Sequence, residues 1–120
     1  REDLPALLAS LDLLVHPSLE EGMGQVVAEA MSARVPVLVS AAGGLPELVG
    51  PDGSTVPPGD VDALARAIRE RTREQPSEAA LDAMEARART RFSVEAMLRG
   101  TLRAYHESLS APPQDPWSPP

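Results

Sequence analysis

At 120 residues the chain has room for one domain, which on folding buries roughly two-thirds of the surface exposed by its unfolded form. A net charge of −7 and only three aromatic residues argue against a nucleic-acid partner, which needs basic patches and stacking rings. Without cysteine there is no disulfide framework, thiolate metal site or cysteine nucleophile, and without an apolar run of about 20 residues there is no signal or membrane-span candidate, so a cytoplasmic protein is expected.

Asp3 is placed to cap a short helix through Ser10 that carries Leu4, Leu7 and Leu8 on one face. Leu11 to His16 follows as a strand with apolar residues on both sides, the pattern of a sheet covered by helices. A helix is predicted over Gly24 to Ala33, and a second buried strand over Val35 to Ser40, with Pro36 among its first residues. Ala41 to Gly44 is a small-residue loop, and Leu45 to Val49 reads as a single helical turn with proline near its start. Pro51 to Ser54 has turn chemistry, and Thr55-Val56 would be a short edge strand. Asp60, Ser77 and Ser93 are N-cap candidates for helices over Val61 to Glu74, Glu78 to Arg91 and Val94 to Leu109. The stretch 111–120 contains five prolines and is expected to be a disordered tail, leaving 1–110 as the domain.

Strands alternating with helices imply parallel pairing, and ligands of such sheets bind beyond the carboxyl ends of the strands. Two loops belong on that rim: Glu21 to Gly24 and Gly43-Gly44. Glu21 and Glu29 stand eight positions apart, the first in the loop and the second about one turn inside the following helix. Free backbone N–H groups gather at the start of that helix and suit an anionic or hydroxyl-rich ligand. An isolated pair of this kind is commonly only a dipole partner and a solvated helix residue. Glu20 reads as a surface neighbour, and Glu47 as structural.

His16 ends a strand at the rim and reads as a polar strand terminus in preference to a ligand contact. His106 reads as a surface residue, and two histidines on distant elements are no metal constellation. Ser18 and Ser40 show no base in reach by sequence, which disfavours nucleophilic catalysis. The arginines between Arg66 and Arg103 read as a solvated face among glutamates.

Across Asp3-Leu4-Pro5-Ala6-Leu7-Leu8-Ala9, His16 to Gly24, Glu29-Ala30-Met31, Val35-Pro36-Val37, Gly43 to Glu47 and Val56 to Asp60, the chain resembles the glycosyl transferases group 1. These are retaining, family 4 type enzymes of the two-Rossmann-domain (GT-B) architecture. The resemblance, specific through the order and spacing of these segments, implies a Rossmann-like α/β parallel sheet with flanking helices, the C-terminal half of a GT-B fold, followed by C-terminal helices. It implies a nucleotide-diphosphate sugar as donor substrate, no separate cofactor and no metal. By the same resemblance Glu21 contacts the donor sugar and is the candidate catalytic residue, and Glu29 contacts the ribose hydroxyls. The amides of Gly22, Met23, Gly24 and Gln25 face sugar and phosphates, and Gly43 and Gly44 serve the donor from the next loop.

The chain departs from the family pattern in places. All eleven basic residues are arginine, so the lysine that normally meets the diphosphate is missing, and Arg1 is out of register for the arginine of that pair. Met23 replaces an aromatic residue, Arg34 replaces the glycine that ends the helix, and the segment Asp52 to Val56 is short enough to put its strand in doubt. The first residue is not methionine, which suggests a piece of something longer whose N-terminal GT-B domain would carry the acceptor site and any peripheral membrane contact. A transferase inactive as this fragment is therefore expected. A stand-alone nucleotide-sugar binding or regulatory module is the alternative, and a purely structural domain would leave the two acids no reason to share a rim.

Overall fold

A computed structural model describes residues 3–51 and 53–110. The elements are α1 (Leu4–Ala9), β1 (Leu14–His16), α2 (Gln25–Ser32), β2 (Val37–Ser40), α3 (Leu45–Val49), β3 (Ser54–Val56), α4 (Val61–Arg73), α5 (Glu78–Arg91) and α6 (Val94–Ser110). Arg1, Asp52 of the predicted turn and the proline-rich stretch 111–120 lie outside the described residues.

The sheet is parallel, in the order β1-β2-β3. Leu14 pairs with Val37 and His16 with Val39, while Leu38 pairs with Ser54 and Ser40 with Val56. The central strand β2 is buried at every residue, as a strand covered on both faces must be, whereas β1 is half-buried throughout. On α2 the buried residues Val27, Ala30 and Met31 follow helical spacing and meet Leu45, Leu48 and Val49 of α3 and Met84 and Ala88 of α5 in one core. The edge strand β3 forms despite its short approach, and α4 packs against it.

Both long strands are shorter than expected. Leu11 closes the turn after α1 through its amide to the Leu8 carbonyl, and Pro36 stays outside β2, its carbonyl accepting from the Leu14 amide at 2.8 Å. Asp3 precedes α1 but its side chain makes no capping bond, because its backbone (φ −93°, ψ 8°) is not in the extended form a capping side chain requires. Asp60, Ser77 and Ser93 do cap, accepting from the amides of Ala63, Ala80 and Ala96.

Arg34 resolves its own departure by taking the glycine conformation, with φ 61°. The Val35 amide reaches the Ala30 carbonyl at 2.9 Å and the Arg34 amide reaches Met31 at 3.1 Å, a Schellman closure of α2. The Arg34 guanidinium then bridges to Glu78, Asp82 and Glu85 of α5.

Arg87 corrects the solvated-face expectation. Half-buried, it donates from Nε to the Leu48 carbonyl at 2.9 Å and from Nη2 to the Glu47 carbonyl at 2.6 Å, filling acceptors at the end of α3.

Candidate functional site

The paired register leaves His16 and Ser40 at the carboxyl ends of adjacent strands, so the loops that follow them share one rim. The loops interlock through backbone. The Gly44 amide donates to the Gly22 carbonyl at 3.2 Å, and a Cβ on Gly43 would stand 1.7 Å from the Glu21 carbonyl oxygen. Gly43, with φ 51°, can therefore only be glycine here. Below them the buried Ser40 hydroxyl donates to the Ser18 carbonyl, pinning the first loop to β2.

Within this frame the Glu21 side chain, 26% exposed, is fixed through both oxygens. His16 Nε2 lies 2.8 Å from Oε2, the Ser18 hydroxyl 3.5 Å from the same oxygen, and the Gly22 amide donates to Oε1 at 3.0 Å. The hydrogen bond from His16 holds the Glu21 carboxyl below the usual glutamate range; desolvation opposes it and the Gly22 and Gly24 amides assist. Glu21 is therefore a carboxylate at neutral pH. Oε2 is fully used by His16 and Ser18, whereas Oε1 keeps acceptor capacity beyond its bond to Gly22.

Glu29 lies one turn inside α2 and is half-buried, with Oε1 accepting from Gln25 Nε2 at 3.1 Å. It lines a cavity of about 720 Å³ between α1, α2 and α5, together with Leu4, Met23, Gln25 and Phe92. The Glu21 side chain, Gly22 and Gly43-Gly44 lie outside that lining, so the predicted residues divide into a rim half and a cavity half, with Met23 next to both. Among the described residues no arginine lines the cavity, and no group of three or more His, Asp or Glu could hold a metal ion.

The two halves differ from expectation in detail. The amide of Gly22 is occupied by Glu21 and that of Gly44 by Gly22, so these two glycines hold the loops together. Gly24 is buried at φ 71°, and a Cβ there would meet Leu45 Cδ2 at 2.5 Å. Its role is to let α2 start close over α3. Gly22 has nothing within 4 Å of a built Cβ and, like Met23, Gln25 and Gly43, stays exposed.

His16 is the residue that sequence reasoning undervalued, and Ser18 does have an imidazole in reach, at 3.0 Å. A histidine and an acid five positions apart across a loop carry no periodic signal. Glu20 and His106 are exposed and join no site.

The comparisons agree with this architecture. The family model for glycosyl transferases group 1 matches residues 1–73. The MMP alpha-(1->4)-mannosyltransferase of Mycolicibacterium hassiacum is 39% identical over 114 residues, covering 91% of this chain and 28% of the relative. The O-antigen chain mannosyltransferase B of Escherichia coli is 38% identical over 104 residues, covering 87% of this chain and 27% of its own length. Among solved structures, Anabaena HepE in complex with UDP superimposes with a TM-score of 0.77 at 32% identity, over 89% of this chain and 30% of that one. Sucrose-phosphate synthase of Thermosynechococcus elongatus superimposes at 0.75 and 32% identity, over 91% of this chain and 29% of that one. The chain thus spans less than a third of the length of these relatives. Fold, motif order and family match converge: the chain belongs to the glycosyl transferases group 1 and has the Rossmann-like α/β fold of the C-terminal half of GT-B enzymes.

Proposed function

We propose that the chain is the donor-binding part of a retaining glycosyltransferase that moves a hexosyl group from a nucleotide diphosphate to an acceptor. The observation that carries this is the Glu21 carboxylate, held ionised chiefly by His16 with help from the Gly22 amide and reached by the Ser18 hydroxyl, on a loop locked to Gly43-Gly44 at the strand ends. Such a group accepts from sugar hydroxyls. Glu29, braced by Gln25 in its cavity, accepts from ribose hydroxyls, and that cavity takes the nucleoside end. The start of α2, where the first amides have no intrahelical partner, faces the diphosphate. Met23 and Gln25 line the path between.

Transfer depends on stabilising the leaving diphosphate, the term that electrostatic preorganisation supplies. Glu21, already accepting three bonds, serves as acceptor and local charge in preference to nucleophile, consistent with same-face transfer without a covalent glycosyl-enzyme. Among the described residues the cavity lining holds no cation and the chain carries −7, so those residues meet phosphate charge with backbone dipoles. Further structure is needed for turnover. The outer strand β1 favours that reading over an independent module, since Leu14 and Val15 are only half-buried and no strand covers the outer edge among the described residues.

Titration calorimetry with UDP-glucose and GDP-mannose tests the proposal on the 120-residue chain and its Glu29→Ala variant. Weak binding to the parent, weakened about tenfold further by loss of a charge-assisted bond, is expected, with no sugar transfer by either protein. Equal affinity for both proteins, or no binding to either, sinks the donor-site reading; turnover by this chain sinks its dependence on further structure.

A further inference from the structure

The imidazole of His16 stands where strand rigidity meets the loop. Its backbone is paired to Val39, and two residues later the Ser18 carbonyl is held by the buried Ser40 hydroxyl. Between these anchors the ring projects Nε2 to 2.8 Å from Glu21 Oε2 and 3.0 Å from Ser18 Oγ.

An ionised carboxylate only accepts, so Nε2 must carry the hydrogen of this contact. The serine hydroxyl, unable to donate to that nitrogen, turns its own hydrogen toward Oε2, 3.5 Å away. A nucleophilic relay is thereby excluded. It needs a bare nitrogen facing the serine and the acid on the far nitrogen, whereas here serine and acid share one protonated nitrogen.

We propose that His16 is a positioning residue for the donor sugar: its Nε2–H holds the Glu21 carboxylate in the orientation that receives the sugar hydroxyls. The assignment rests on the donor-site reading above. Glu21 is 26% exposed, and without the imidazole its carboxylate keeps only the Gly22 amide and the long Ser18 contact to hold it toward the site. Glu29 sits in the separate cavity half, braced by Gln25, and has no contact with His16. Loss of the imidazole therefore removes affinity for the sugar and spares affinity for the nucleotide.

The test compares the parent chain with His16→Leu and His16→Gln, the glutamine amide placing an N–H close to the position of Nε2. Calorimetry is run with UDP-glucose and GDP-mannose against UDP and GDP. The expected result is that His16→Leu abolishes the extra affinity of the sugar nucleotide over the bare nucleotide, about tenfold for one charge-assisted bond, that nucleotide affinity is unchanged, and that His16→Gln restores the difference. Parallel ¹⁵N NMR should show the Nε2–H form of His16, with resonances that move in Glu21→Gln.

Equal weakening of nucleotide and sugar nucleotide, no effect, or failure of the glutamine variant to restore binding overturns the proposal. An Nδ1–H imidazole, or one that does not respond to Glu21→Gln, overturns the His16 assignment alone. A parent chain that binds none of the four compounds overturns the donor-site reading and, with it, the sugar role of His16.

Discussion

Glu21 shows how a loop residue acquires a defined charge state. Its folded carboxyl titrates below the unfolded value, chiefly through the His16 bond, so the carboxylate contributes stability that is complete above the unfolded glutamate range. That contribution is lost as pH falls through the lower, folded value. In His16→Leu the carboxyl should rise toward the ordinary range and most of this acid-side contribution should vanish; carboxyl ¹³C titration of Glu21 in both proteins reads the change, and an unmoved Glu21 curve would refute the cause assigned to it. The placement of Glu21 in the loop and of Glu29 one turn inside α2 was legible because the strand, loop and helix pattern fixes it. The partner His16 was not, because its contact depends on how the loop folds back. The same limit applies to Gly22 and Gly44, which the resemblance sets against the donor: the Gly22 amide turns to the Glu21 carboxylate in its own loop, and the Gly44 amide crosses to the Gly22 carbonyl.

At the scale of elements, helix starts were more legible than helix ends and strand lengths. Asp60, Ser77 and Ser93 cap where side-chain chemistry says they should, a signal contained within four residues. The end of α2 needs a residue at positive φ, and Arg34 supplies it while its guanidinium ties α2 to α5. The end of α3 is served from 39 positions away by Arg87, whose guanidinium also packs where a Cβ on Gly50 would stand 2.5 Å from Cζ. Nothing in the periodicity of α5 distinguishes that arginine from its solvated neighbours, since both occupy helix positions among glutamates. Arg87→Ala should leave the carbonyls of Glu47 and Leu48 without their charged donor and destabilise the fold by about 1–3 kcal/mol. Urea denaturation measures it, and a change within a few tenths of a kcal/mol would place Arg87 with the solvated arginines after all.

Over the whole molecule, burial is concentrated between α1, α2, α3, α5 and the central strand, and it stops at Phe92, which is half-buried against the core. Beyond it α6 presents Val94, Met97, Leu98, Leu102, Tyr105 and Leu109, each more than half exposed, and no residue of that helix is buried. The apolar stripe is legible as helical spacing, but the spacing says only that a face exists and not what lies against it. Because no residue of α6 is buried, it adds little to the free energy that holds the core, and a helix of 17 residues on its own is marginal in water. A chain ending at Ser93 should therefore unfold in urea within about 1 kcal/mol of the full chain, since Phe92 is retained. In the full chain, amide exchange across 97–110 should be fast while that of β2 and α2 approaches the global rate. Loss of several kcal/mol on truncation, or protection of α6 equal to that of β2, would mean that the helix is integral to the folded core.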